Sequence, residues 1–321
     1  MGGLSRKLAY VNTLKSNGIN PIILDAGDAL FTRTKYSVLE LANAKYKARA
    51  FLEAYKEIGS DALNIGEYDF AAGYEFLKSL EQNSTIPFIS ANLRVKETGD
   101  LAFKPFVIIK RDNLKIGIIG VTDYLSNEVN ELYKENYLEA GQNLIKILRD
   151  EVDILVMLVN GNVSQKNTIL ESFKDADYIY LSRTVMNTRS SASHKEGYPI
   201  FYTIGLNARY LIEVKTTIKD DKSPITDVTS FDTRLSSIAR QLIRLKKTEG
   251  DQTLEEKYAS RPQVLMQIES YEKQVKELEA SINKVINPSE IKIVALPKSV
   301  EYDAKMQSFI DKALEEANNQ K

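Results

Sequence analysis

The apolar run Ile22-Ile23-Leu24 stops at Asp25-Ala26-Gly27-Asp28, and that stop constrains the chain more than any other stretch. A buried strand ending in a small-residue turn delivers two carboxylates to its C-terminal tip. In open α/β sheets ligands and metals bind at that tip. Residues 22–31 therefore predict an α/β fold with a candidate site at the end of its first strand.

The flanking pattern agrees. Leu4, Leu8, Val11 and Leu14 recur at helical spacing before Gly18, and a long helix is expected from the Ser37 cap to Gly59. Strands are expected over 61–66, 87–93, 153–159 and 177–181, with helices between them. Residues 103–110 and 115–121 read as a hairpin turning at Arg111-Asp112-Asn113-Leu114. A polar loop follows over 182–197. Strands near 199–204 and 210–215 flank a Gly205-Leu206-Asn207 turn, and another is expected at 226–231. Alternating β and α with an inserted hairpin implies a layered, mixed sheet flanked by helices. Gly117-Ile118-Ile119-Gly120 lacks a glycine-rich turn opening a helix, so it reads as a buried strand with close backbone approach rather than a phosphate loop.

Composition shifts near Asp232. Arg261, Ile268, Val275 and Ile282 recur every seven residues beside Val264, Tyr271, Leu278 and Val285, an a/d seam matched upstream by Leu235, Ile238, Leu242 and Leu245. A helical hairpin bending near Gly250 is the simplest arrangement. The expected divisions are 1–231, a helical hairpin or coiled-coil segment over 232–287, and a strand and helix over 288–321 packing back on the main domain. The hairpin is the candidate surface for a protein partner or self-association.

Charge balance is close to neutral, with 43 basic and 44 acidic residues among 321, so no nucleic-acid footprint is present. No apolar run approaches the roughly 18 residues of a transmembrane helix. The absence of cysteine excludes thiolate metal sites and cysteine nucleophiles. Histidine occurs once, at His194, so this stretch cannot build a multi-histidine metal site alone. Among Ser191, Ser193 and Lys195, His194 reads as a solvated side chain.

Taken in order, Leu24-Asp25-Ala26-Gly27-Asp28, Gly66-Glu67-Tyr68-Asp69-Phe70, Ser90-Ala91-Asn92-Leu93 and Gly117-Ile118-Ile119-Gly120-Val121 resemble the motifs of the metallophosphoesterase (calcineurin-like) superfamily. More specifically they resemble the N-terminal domain of bacterial 5′-nucleotidases. The resemblance implies two metal ions activating a water against a phosphate ester, held by Asp, Asn and several His ligands. Asp28 matches the bridging aspartate. Glu67 and Tyr68 stand where the family has Asn and His, and Asn160 where it has another His. Arg183 and Val185 replace the last two. The family's opening Asp-x-His strand has no counterpart here.

The resemblance thus implies a vestigial site of Asp25, Asp28, Glu67, Tyr68, Asp69, Asn92, Asn160, Arg183 and Val185, with no catalytic residue and no metal expected. An oxygen-only set of Asp28, Glu67, Asp69 and Asn160 is the alternative, suited to Mg, Mn or Ca. Asp25 also reads as a turn cap. Arg33 or Arg183 is expected to pair with Glu67 or Asp69, a guanidinium standing in for the missing positive charge. The expected function is a non-catalytic 5′-nucleotidase-like binding or structural partner, the alternative a phosphoesterase with a remodelled site. By family resemblance the location is extracytoplasmic (periplasmic), with a lipid anchor on the full-length form.

Overall fold

A computed structural model describes residues 3–189, 194–195, 197–205, 209–248 and 250–319. Leu206 and Asn207 of the expected turn, and Ser191 and Ser193, lie outside the described residues. The chain divides into two compact units, Met1–Thr188 with Lys195–Leu211 and Val294–Lys321, and Arg189–His194 with Ile212–Ile293.

The first unit opens with α1 (Leu4–Ser16), β1 (Leu24–Asp25), α2 (Val38–Ile58), β2 (Ala62–Asn64), α3 (Tyr74–Gln82) and β3 (Phe88–Ile89). Ser37 and Glu40 form a capping box at the start of α2, and Gly59, in the left-handed region, ends it. Strands β1, β2 and β3 form a parallel sheet in that order. Leu8, Val11, Tyr55, Ile58, Leu63 and Phe88 pack into its helix-covered core.

The chain continues through β4 (Leu93–Val95), β5 (Phe106–Arg111), β6 (Leu114–Thr122), β7 (Leu132–Lys134), α4 (Tyr137–Leu148), β8 (Ile154–Asn160), α5 (Lys166–Ser172), β9 (Tyr178–Ser182) and β10 (Ile200–Tyr202), and five of these strands make a second sheet. Its order is β10-β9-β8-β6-β5, parallel except for the β5–β6 hairpin. The hairpin turns at Asp112, whose φ of 52° fits a tight two-residue turn. The antiparallel pair β4–β7 was not legible in the sequence pattern. Ile119, Met157, Ile179 and Phe201 face Phe173 and Ile145 in a second core beneath α4 and α5. On the other face of this sheet, a Cβ at Gly120 would meet the Ile89 backbone oxygen at 3.0 Å, and the Asn64 amide of β2 donates to Val121 O at 3.0 Å. The two sheets therefore stack, helices outside each, as the layered fold predicts.

The second unit holds most of β11 (Tyr210–Thr216), β12 (Ile225–Asp227), α6 (Thr229–Lys246), α7 (Leu254–Lys257), α8 (Pro262–Asn283) and most of β13 (Asn287–Ala295), its strands ordered β11-β13-β12. Arg234 reaches Gln274 and Gln241 accepts from Tyr271, so α6 and α8 run in opposite directions. Ile238, Ile268 and Leu278 are the buried residues of the seam. The strand expected over 226–231 ends early, because Asp227 Oδ1 accepts from Thr229 N at 2.9 Å and starts α6. An expected boundary at 231 therefore falls inside a helix, and pairing of β12 with β13 groups both strands with the hairpin. The final helix, α9 (Ala304–Asn318), packs on α1 and α2 of the first unit.

His194 is a correction. Its Nε2 lies 3.0 Å from Asp227 Oδ2, and the two side chains are only 12% and 1% exposed. A polar flank in sequence had suggested a solvated ring; tertiary burial overrides it.

Candidate functional site

Parallel strands of both sheets bring their C-terminal ends together. Register aligns Thr122, Asn160 and Ser182 across β6, β8 and β9, and the turn after β1 lies against them. The Asn160 amide donates to Asp28 Oδ2 at 2.8 Å and to Ser182 Oγ at 2.9 Å. Asn160 Oδ1 accepts from Thr122 Oγ1 at 3.2 Å. Ser182 donates on to Ala26 O at 2.8 Å, pinning the turn that carries Asp28.

That turn is held from the other side by the 66–70 segment. Tyr68 N donates to Asp28 Oδ1 at 2.7 Å. Asp69 is fully buried and accepts from three backbone amides: Leu30 at 2.9 Å, Asp28 at 3.1 Å and Gly66 at 2.9 Å. Asp28 itself sits at φ 62°, a left-handed conformation that costs a non-glycine residue about 1–2 kcal/mol and persists only where surrounding bonds over-determine it. Gly66 is required by close approach, since a Cβ there would meet the Asn160 amide nitrogen at 2.7 Å and collide with Asp28 Oδ1.

Burial pushes the Asp28 carboxyl up, against the Asn160 and Tyr68 hydrogen bonds and the Arg183 charge, which favour its ionised form. Burial likewise raises Asp69, to about 8, helped by the neighbouring Asp28 charge and opposed by the Gly66 and Leu30 amides.

Arg183 closes the constellation. It too is left-handed, at φ 63°. Its guanidinium pairs with Glu67, the two side chains 23% and 15% exposed, and stacks 3.9 Å from the Tyr124 ring centroid and 5.1 Å from that of Tyr68. Of the two arginines expected near the carboxylates, only this one is there; Arg33 pairs with Glu40 at the surface.

The remaining expected residues lie apart or are otherwise spent. Asn92 is buried, donating to Thr122 O and Glu135 O and accepting from Thr122 N, so it ties loops together and offers no free ligand atom. Val185 is 79% exposed. The motif resemblance placed it in the site beside Arg183, but its side chain faces solvent. Asp25 caps its own turn by accepting from Gly27 N at 3.0 Å, and its other oxygen takes the Tyr55 hydroxyl at 2.6 Å. Burial raises Tyr55 well above the usual phenol range and lowers Lys7, whose ammonium lies 3.3 Å from the same hydroxyl. Sequence reasoning missed Asn64, Thr122, Tyr124 and Ser182; a lone Asn inside the apolar run Ala62-Leu63-Asn64-Ile65 was the available signal.

A divalent cation needs several free oxygen lone pairs converging on one point. Both Asp28 oxygens, both Asp69 oxygens and one Glu67 oxygen already accept hydrogen bonds from protein donors. Asn160 turns its NH2 toward Asp28, and a guanidinium stands alongside. Among the described residues no group of three or more acidic or imidazole side chains is placed to hold a metal ion. None of these residues supplies the imidazole ligands that the motif resemblance implies for a dinuclear centre.

No family model matches the chain. A protein named UshA from Salmonella pullorum is 40% identical over 124 residues, 37% of this chain and 21% of its own. The NAD 5′-nucleotidase of Haemophilus influenzae is 30% identical over 191 residues, 56% of this chain and 30% of its own. The matched stretches thus span less than a third of these relatives' lengths. Among solved structures, a Thermus thermophilus sulfate thiohydrolase, SoxB, superposes with a TM-score of 0.65 at 13% identity, over 99% of this chain and 47% of its own. The calcineurin-like phosphoesterase YfkN from Bacillus subtilis gives 0.61 at 13% identity, over 98% and 90%. The chain has the metallophosphoesterase (calcineurin-like) fold and resembles the N-terminal domain of bacterial 5′-nucleotidases.

Proposed function

We propose that this chain is a non-catalytic relative of the 5′-nucleotidases, a binding or structural partner built on a metallophosphoesterase scaffold. One observation carries the reading: the Arg183–Glu67 pair sits against Asp28 where the family resemblance expects metal ligands. A fixed guanidinium supplies positive charge to the carboxylates without a metal, and it presents no nucleophile and no activated water. The scaffold survives because Asp28, Asp69 and Asn160 knit the strand tips together. By the same resemblance we place the protein outside the cytoplasm, lipid-anchored in its full-length form, with the 232–287 helices as the surface for a protein partner. Among the described residues no helix is long and apolar enough to cross a membrane.

A second reading is favoured by the relatives, among them the NAD 5′-nucleotidase of Haemophilus influenzae: a phosphoesterase using Asp28, Glu67, Asp69 and Asn160 around Mg, Mn or Ca. That set would first have to release Arg183. Turnover of a general phosphodiester and a phosphomonoester by the full chain, with each cation supplied, separates the two. The proposal expects no hydrolysis above background. Metal-dependent turnover abolished by Asp28→Ala would replace it with the second reading.

A further inference from the structure

One edge of the larger sheet is open. Among the described residues β5 pairs with β6 alone. Their hairpin closes on Arg111 opposite Leu114 across a two-residue turn, a pair that exchanges both backbone bonds. Such pairs alternate along an antiparallel ladder. Val107, Ile109 and Arg111 therefore bond to β6, while Phe106, Ile108 and Lys110 turn their N–H and C=O groups outward. The residue before them in that outward set does find a partner: Lys104 O accepts from Ser90 N at 2.9 Å, and Lys104 bridges to Ile89 at the end of β3. Beyond Lys104 the slot is free, and among the described residues nothing bonds the backbone of Phe106, Ile108 or Lys110.

Side chains beside the slot are apolar. Phe106 packs on the core under α4 and α5, and Ile108, two residues along on the same face, is 43% exposed. Arg149, at the end of α4, reaches Asp177 beside β9. Ile147 lies on the opposite flank of that helix, toward β5, and is 62% exposed. Proteins blunt an open apolar edge with charge or proline. Pro105 precedes β5, but Arg111 is drawn to Asp61 at 2.8 Å, which leaves Lys110 as the one charge guarding the strand. Lys110 stands directly opposite Lys115, and like charges so placed repel. Asp112 lies at the turn and Asp153 Oδ2 takes Lys115 N at 2.6 Å; among the described residues neither forms an ion pair with Lys110 or Lys115. A carboxylate set across from Lys110 would relieve that repulsion.

We propose that the β5 edge receives an extended segment of another protein as an added strand, apolar at alternate residues and carrying a carboxylate opposite Lys110. A second copy of this chain suits the slot less well. Antiparallel pairing about Ile108 would set Lys110 of each copy against Phe106 of the other, with no acid opposite. The surface uses neither the strand-tip constellation nor the 232–287 helices, so it stands whether or not the chain is catalytic.

Fluorescence anisotropy tests this with a labelled heptapeptide alternating valine and threonine between glutamate ends, titrated with the full chain. The expected result is saturable binding, weakened about fivefold when the ends are lysine. Ile108→Pro deletes an outward N–H without touching the β6 ladder, and should weaken binding about tenfold. Lys110→Glu, a surface change, should reverse the preference between the two peptides, and far-UV circular dichroism checks that both variants fold. No saturable binding of the glutamate-ended peptide, equal affinity in a folded Ile108→Pro variant, or an unchanged preference in Lys110→Glu would overturn the proposal. Self-association that Ile108→Pro abolishes, without peptide binding, would give the edge to a second copy and overturn it too.

Discussion

Breaking the Arg183–Glu67 pair is the most informative perturbation of this fold. Removing one partner of a fully buried pair costs ~3–5 kcal/mol, because the other charge stays buried and unpaired. Exposed pairs are worth ~0.2–1 kcal/mol. With side chains 23% and 15% exposed, this pair falls between those limits, at about 2 kcal/mol after discounting for solvent screening. Stacking on Tyr124 at 3.9 Å adds about 1 kcal/mol. Arg183→Gln should therefore destabilise the first unit by about 3 kcal/mol and Glu67→Gln by about 2 kcal/mol. The double variant should cost less than the sum, leaving a coupling of about 1.5 kcal/mol. Strain at φ 63° is common to Arg and Gln at position 183, so it cancels in the cycle. Urea unfolding followed by circular dichroism reads all four corners. A coupling under about 0.5 kcal/mol would refute the idea that the pair holds the strand tips.

Three further outcomes follow from the same geometry. Gly66→Ala forces a methyl onto Asp28 Oδ1 and the Asn160 amide, and should cost about 3 kcal/mol by urea unfolding; a loss under 1 kcal/mol would mean the turn can yield. Asp69, raised to about 8 by burial, keeps a proton in the native state that the unfolded chain loses near pH 4. Stability should therefore be greatest below that unfolded value and decline as pH rises toward 8, by at most ~1.4 kcal/mol per unit. Asp69→Asn should flatten the profile, and a wild-type profile rising across pH 5–8 would contradict the assignment. His194→Asn should lower the melting temperature of the second unit through a loss of ~1–3 kcal/mol at buried Asp227, and an unchanged melting curve would show that the pair is dispensable.

Much of the architecture was legible in the chain itself. Apolar runs of strand length alternating with helical stripes, and the Asp112-Asn113 turn, suffice for the parallel sheets and their hairpin. Asp28, Glu67, Asp69, Asn160 and Arg183 were also legible, through the motif resemblance, and the C-terminal ends of strands from both sheets bring them together. What failed were inferences that needed the third dimension. Thr122, Ser182 and Asn64 are unremarkable in sequence and acquire roles only when two stacked sheets face them toward Asp28 and its turn. Asn92 looked like a site residue, yet its amide is fully engaged by loop backbone. Val185 is exposed although the motif resemblance put it beside Arg183, because alignment to a motif does not fix where a loop side chain points.

Manganese binding tests the central claim most directly. Titrating the full chain, prepared without chelators, with Mn²⁺ and following the free ion by electron paramagnetic resonance should reveal no stoichiometric site, since backbone amides and Asn160 hold Asp28 and Asp69, and Arg183 holds Glu67. One or two ions bound per chain, and lost in Asp28→Ala, would contradict the account.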